Sequence, residues 1–263
     1  MNLLLSLRRP LLEGDVKEIV CLRSSMPPSW REVPPEGGGR RVSLLDFLVQ
    51  KGKLDLTGDV GDATLADLLA ESEAFVAALK KQSVQCRMCG ECCHRAPVLG
   101  LDILAMAGEA ITDAAQWAKE HLLLPDPPDL IARQKGIAEL MRQSNMTEHD
   151  ASVLYEYNQS EPISFLQNES DRCVHQRGNL CGVYAQRPFV CRLYLCRFGE
   201  RLQDLLEIVV TQGTWHAWAV LGVVPMEAIA HNPFAGKQGY DQVKLKEFEF
   251  GLEEAMGELF SFF

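Results

Sequence analysis

The sequence predicts a mainly α-helical fold with irregular cysteine-rich loops, its helices and loops assembled around a cysteine-ligated metal centre. Three observations carry that prediction. Helical periodicity recurs from Thr64 to Lys81, from Asp129 to Arg142 and from Val243 to Phe260. A compact knuckle, C-R-M-C-G-E-C-C, holds Cys86, Cys89, Cys92 and Cys93. A second group, Cys173, Cys181, Cys191 and Cys196, follows after 79 intervening residues, and of nine cysteines only Cys21 lies outside the two groups.

Residues 1–23 contain one candidate strand, Lys17 to Leu22, in which Cys21 has apolar neighbours and reads as a buried structural thiol. Residues 24–40 carry Pro27-Pro28, Pro34-Pro35 and Gly37-Gly38-Gly39, the punctuation of an exposed linker. The three glycines lack a Walker lysine pattern and a dinucleotide fingerprint, so a phosphate cradle is not expected there. A short helix is expected from Ser43 to Val49.

The Thr64 to Lys81 helix places Leu65, Leu68, Leu69, Val76 and Leu79 near one face, widened by Phe75. Asp67 lies near its positive end and Lys80 and Lys81 near its negative end, as the helix dipole favours. Leu101 to Ala107 and Asp113 to Leu122 read as helices. After Pro125, Pro127 and Pro128, the Asp129 to Arg142 helix sets Leu130, Ile131, Ile137, Leu140 and Met141 on one side. Thr147 to Tyr157 reads as another helix. Residues 168–182 are polar and loop-like, and Pro188 opens a helix carrying Cys191 and Arg192. Leu205 to Thr211 suits a strand or a buried helix segment equally. Trp215, His216 and Trp218 read as core packing, and Val243 to Phe260 as a terminal amphipathic helix. Three regions follow: residues 1–60, an N-terminal extension with its Pro/Gly-rich linker; 61–200, the cysteine-cluster metal-binding domain; and 201–263, a C-terminal helical region packed on that domain.

Hydrophobic residues make up 47% of the 263, which suits a globular chain with a sizeable core. The net charge of −10 opposes nonspecific attraction to nucleic acid or an anionic membrane, so neither is expected as a partner. The expected partner or substrate is a protein whose identity the residues do not specify. No apolar run reaches the length of a membrane span, and the opening residues lack the order of a secretory signal. The expected location is cytoplasmic, where thiols stay reduced and clustered cysteines bind metal rather than form disulfides.

Eight soft ligands select zinc or iron–sulfur chemistry over magnesium or calcium. All eight are candidate ligands. Two C-x-x-C steps share Cys89, and Gly90 directly after it suits a left-handed turn that aims backbone N–H groups at sulfur. The adjacent pair Cys92-Cys93 fits one tetrahedral ion poorly, because neighbouring side chains diverge by about 100° around a helix or to opposite faces of a strand. A larger cluster, such as four-iron–four-sulfur, accommodates the pair better, with zinc as the alternative; otherwise one of the two serves a second centre, which eight cysteines allow, or packs nearby without ligating. The first three cysteines share the bacterial ferredoxin spacing, but the fourth does not, and a ferredoxin fold is not expected. The second group contains no C-x-x-C, so its ligands must come from loop and helix folded onto the first knuckle. No serine–histidine–acid grouping, nucleotide loop or paired-carboxylate motif is evident, and whether the chain is an enzyme stays open.

The pattern C-x-x-C-G-x-C-C, followed far downstream by C-x7-C-x-x-Tyr-x-x-Arg-Pro-x-x-Cys-Arg-x-Tyr, resembles the YkgJ family, also called the CxxCxxCC family. The matching residues are Cys86, Cys89, Gly90, Cys92, Cys93, Cys173, Cys181, Tyr184, Arg187, Pro188, Cys191, Arg192 and Tyr194, with Pro97 and Gly100 to Ala107 similar to the segment after the first cysteines. The resemblance runs from Val84 to Arg197 and implies metal chelation by the shared cysteines. The sequence departs from it at Cys196, where the family more usually carries a proline close behind its tyrosine. Beside these ligands, Arg187 and Arg192 either offset thiolate charge or sit at the surface paired with carboxylates. Tyr184 and Tyr194 cover the site. His94 and His175 are either solvated or substitute ligands. Three functions are consistent with this reading: an iron–sulfur protein; a structural zinc protein acting as an interaction module; and, because flagellin lysine methylases carry a similar cysteine arrangement, an S-adenosylmethionine-dependent protein lysine methylase-like enzyme.

Overall fold

A computed structural model describes residues 45–48, 53–56, 60–81, 96–107, 114–159, 161–168, 172–178, 180–193 and 200–248. Its helices are α1 (Leu65–Lys81), α2 (Gly100–Ala107), α3 (Ala114–His121), α4 (Leu130–Ser144), α5 (Glu148–Gln159), α6 (Phe189–Arg192) and α7 (Glu200–Val220). Three short antiparallel pairs accompany them: β1 (Leu45–Leu48) with β2 (Lys53–Leu56), β3 (Leu122–Leu123) with β4 (Ser164–Phe165), and β5 (Gln176–Arg177) with β6 (Leu180–Cys181). The described chain is mainly helical. No helix in it is long and apolar enough to cross a membrane.

Local chemistry starts the helices. Thr64 and Asp67 form a reciprocal cap on α1: Thr64 N–H and Oγ1 donate to Asp67 Oδ2 at 3.0 and 2.9 Å, and Asp67 N–H returns to Thr64 Oγ1 at 3.3 Å. Thr147 and Asp150 repeat the device on α5. Asp129 caps α4 by accepting from Ile131 and Ala132 N–H, and Asn145 ends that helix in the left-handed region at φ 50°.

α7 is the axis of the core. Leu202, Leu205, Leu206 and Val209 on its first half pack with Leu65 and Leu68 of α1 and with Phe189, Phe234 and Phe248. Trp215 and Trp218 on its second half, and Leu221 just after it, pack with Val98, Ile103, Ile163 and Phe165. Residues 211–218 are buried without a break, as expected of a helix enclosed on all sides. That enclosure decides the Leu205 to Thr211 ambiguity in favour of helix, and Trp215, His216 and Trp218 are core residues as expected. α2 runs against α7 so closely that a Cβ on Gly100 would stand 2.9 Å from Ala217 N. Only a glycine permits that approach.

Other expectations need correction. The helix expected at Ser43 to Val49 is strand β1, with Leu45 opposite Leu56 and Phe47 opposite Leu54. Leu45-Asp46-Phe47 and Lys53-Leu54-Asp55-Leu56 alternate with period two, and a seven-residue helix has too few internal bonds to compete with a hairpin. The helix expected from Val243 does not begin there. Val243 is extended, and Leu245–Phe248 form a 3-10 turn. The backbone is engaged instead by the loop before α1: Leu65 N–H donates to Val243 O at 2.9 Å and Leu245 N–H to Ala63 O at 2.8 Å. Val243, Leu245 and Phe248 are still buried, so their apolar character is used by packing rather than by a helical stripe. On α4 the expected face divides: Ile137 is buried, but Ile131 is 65% exposed and Met141 is also exposed. The strand at Lys17 to Leu22, the linker at 24–40 and the part of the terminal helix after Phe248 lie outside the described residues.

Candidate metal centre

Cys173, Cys181 and Cys191 are half-buried. The other five candidate ligands, Cys86, Cys89, Cys92, Cys93 and Cys196, lie outside the described residues, as do His94 and Tyr194. Among the described residues no three His, Cys, Asp or Glu side chains converge at metal-binding distance. The structure therefore places three of the eight candidates, and those three do not form a site by themselves.

Cys173 and Cys181 share one small hairpin. Cys173 bridges to Gln167, its carbonyl accepts from Gln176 N–H at 2.9 Å, and Cys181 stands opposite Gln176 in the β5–β6 pair. Cys191 is the third residue of α6. Arg187 joins the two neighbourhoods: its Nε donates to Tyr184 O at 3.1 Å, its Nη1 to Cys191 O at 3.3 Å, and its guanidinium lies 3.8 Å over the Tyr184 ring. Arg192 pairs with Glu73 on α1 through Nη2 at 2.8 Å and Nε at 2.9 Å, which is the carboxylate-paired alternative. Tyr184 is exposed and covers Arg187.

His175 is half-buried rather than fully solvated. Its ring stands edge-on to Phe165 at 4.6 Å, and its Nε2 is buried with no hydrogen-bond partner. Burial, then the neighbouring His121 and Arg177, lowers its pKa, which favours the neutral imidazole. A neutral imidazole and reduced thiols are the soft donors that zinc and iron take, so the chemistry of the described part fits such a metal.

The elements on either side of the first cysteine group contact segments near the second. The chain enters residues 82–95 from α1, which packs on α6 and is tied to it by Arg192–Glu73. It emerges at Ala96, where Pro97 bridges to Ser164 and Val98 N–H donates to Ile163 O at 2.8 Å. The same 161–168 segment continues to Leu166 and Gln167, which pair with Val174 and Cys173. The helix before residues 82–95 thus contacts α6 through Glu73, and the segment after them pairs with the first part of the 161–168 stretch whose later part pairs with Cys173 and Val174.

Sequence reading missed Asp102. This carboxylate is 4% exposed and accepts three hydrogen bonds, Leu99 N–H on Oδ2 at 2.9 Å and Phe189 N–H and Tyr240 O–H on Oδ1 at 2.9 and 2.7 Å. Burial pushes its pKa up to about 6, against the pull of those donors and of Arg192. The signal in the sequence was an acid inside the apolar run Leu99-Gly100-Leu101-Asp102-Ile103-Leu104, where an unpaired charge would be costly. Glu156 is a second buried carboxylate, on α5, bonded to Arg133 and Gln212 and facing His231.

Comparison with known proteins gives one family. Residues 85–208 match the model of the CxxCxxCC family, described as "Putative zinc- or iron-chelating domain". No curated protein matches the chain, and no solved structure does.

Proposed function

We propose that this chain, whose residues 85–208 belong to the CxxCxxCC family, is a cytoplasmic protein that binds one iron–sulfur centre through cysteines of both groups. The observation that supports the reading is the placement of the flanking elements: the helix that leads into residues 82–95 is tied through Glu73 to Arg192, the neighbour of Cys191, and the segment after them pairs with Ser164, on the stretch whose Gln167 pairs with Cys173. The first group then supplies Cys86, Cys89, Cys92 and Cys93, and the second supplies Cys173, Cys181, Cys191 and Cys196. Four cysteines hold one four-iron cluster, so not all eight need ligate it. The vicinal pair Cys92-Cys93 and the unequal spacing downstream favour a multinuclear centre over a simple tetrahedral ion. The metal would supply the charge compensation that lets the thiols ionise. The chain's own part is to present sulfur from a hairpin and a helical turn, with Arg187 and Arg192 as nearby positive charge.

A structural zinc site has support of its own. Among the described residues of 172–193 the regular structure is two-residue strands, a 3-10 turn and a four-residue helix, so a metal there would substitute for missing regular structure.

Anaerobic purification followed by visible absorbance and iron, zinc and acid-labile sulfide analysis tests the reading. Iron with matching sulfide supports the cluster. Stoichiometric zinc without colour moves the site to the structural role. A Cys89→Ala chain should lose metal and melt earlier; full metal retention with an unchanged melting curve overturns the proposed ligation.

A further inference from the structure

We infer that Asp102 is the positioning residue of the Cys191 arm: its buried carboxylate fixes where α6 starts and so where the Cys191 thiol is presented. The inference rests on the metal-binding reading above and adds to it a residue outside the cysteine motif.

α6 cannot hold itself. It is four residues long, with Arg192 N–H to Pro188 O and Leu193 N–H to Phe189 O as its turn-closing bonds. A single helical turn is unfavourable to nucleate, and its first N–H groups have no internal partner. A side-chain oxygen at the preceding position would ordinarily accept one of them, but Pro188 occupies that position and has none. The partner comes from 87 residues earlier in the chain: Phe189 N–H donates to Asp102 Oδ1 at 2.9 Å.

Asp102 is itself held on three sides. It is the third residue of α2, and its Oδ2 accepts the N–H of Leu99 just before that helix, the return half of a capping box. Tyr240 O–H binds the same oxygen as Phe189, and the Tyr240 ring packs on the Phe189 ring at 4.9 Å. α2 is locked against α7 through Gly100. A rigid part of the core thus reaches through one carboxylate to the first residue of α6, two residues before Cys191. All three partners are donors, so an acceptor-only carboxylate satisfies them and an asparagine cannot: its amide would set N–H against N–H at one position.

The test uses the full chain with Asp102→Asn and Tyr240→Phe, and with Glu156→Gln as a control that disturbs a buried carboxylate remote from α6. In the metal-free reduced protein, alkylation of Cys191 is measured against that of Cys181 in the same molecule by peptide mapping. In the protein as purified, release of its iron or zinc to a chelator is timed where all variants keep their helical signal. The Cys191 to Cys181 ratio should rise in Asp102→Asn, and metal should leave about tenfold faster, the scale of effect known for groups that orient metal ligands. Tyr240→Phe should move both readouts the same way by less, and it decides the matter if Asp102→Asn does not fold. Glu156→Gln should lower the melting temperature and leave both readouts at the wild-type value. If Asp102→Asn and Tyr240→Phe behave like Glu156→Gln, Asp102 is structural only and the inference fails. A wild-type chain that purifies without metal overturns the metal-binding reading, and the alkylation ratio still decides whether Asp102 sets the arm.

Discussion

Two buried carboxylates organise different parts of this molecule, and they are satisfied in opposite ways. Glu156 sits where α4, α5 and α7 meet, and meets a full positive charge: Arg133 Nε and Nη2 donate to its Oε1 at 3.0 and 2.6 Å, while Gln212 Nε2 donates to Oε2 at 3.0 Å. His231 Nε2 lies within 3.2 Å, and the Arg133 guanidinium also covers the Trp215 ring at 5.3 Å. Asp102 has only neutral donors in direct contact, two backbone N–H groups and a tyrosine hydroxyl. The first arrangement joins whole helices through charge. The second joins a helix to a short turn through directed bonds, which give position with less energy at stake.

The comparison is broken most severely at the charged centre. Arg133→Met leaves the Glu156 charge buried without its guanidinium and should cost about 3 to 5 kcal/mol in a urea titration, the range for splitting a buried pair. If the loss is below about 1 kcal/mol, Glu156 is carried by its other partners and the contrast with Asp102 disappears.

A titration near α2 comes next. Burial lowers the pKa of His216 from 6.5 to about 4. Between those values the unfolded chain binds a proton that the folded chain does not, so stability falls as pH drops from 6.5 toward 4, by up to about 3 kcal/mol. Asp102, raised to about 6, acts in the opposite sense over the lower part of this window, because there the folded state binds the extra proton. The His216 contribution is therefore the difference in pH slope between wild type and His216→Gln, and equal slopes would remove it.

Gly100→Ala forces a methyl group against the α7 backbone and should cost about 1 to 3 kcal/mol, read as a lowered melting temperature. Tyr240→Phe removes one hydrogen bond to a carboxylate and should cost about 1.5 kcal/mol. The smallest effect belongs to Ile131→Ser on α4, where the apolar side chain is exposed; a change of more than about 0.5 kcal/mol would show a packing role that its exposure does not.

Much of the fold was legible because its signals are local. Asp129 before an apolar-periodic run marks the start of α4, Pro188 marks the start of α6, and the cysteine spacing marks the segment that matches the CxxCxxCC family model. What failed was decided by distant partners. Val243 to Phe248 carries a helical pattern, but its backbone bonds to residues 63–65 and takes another shape. Ile131 and Ile137 share an apolar pattern, yet only Ile137 meets a covering surface. For the candidate site, residue types and spacing named eight cysteines, three of which fall among the described residues.

The sequence by itself determined the starts of α1, α4, α5 and α6, the grouping of the cysteines and the match of residues 85–208 to the CxxCxxCC family model, since each depends on residue type and short spacing. Only tertiary structure decided that residues 211–218 of α7 are enclosed on all sides, that the His175 ring stands edge-on to Phe165, and that Asp102 reaches the first residue of α6. Asp102 and Phe189 are 87 residues apart, and no local pattern encodes a hydrogen bond made when two packed elements bring a carboxylate and an unpaired N–H together.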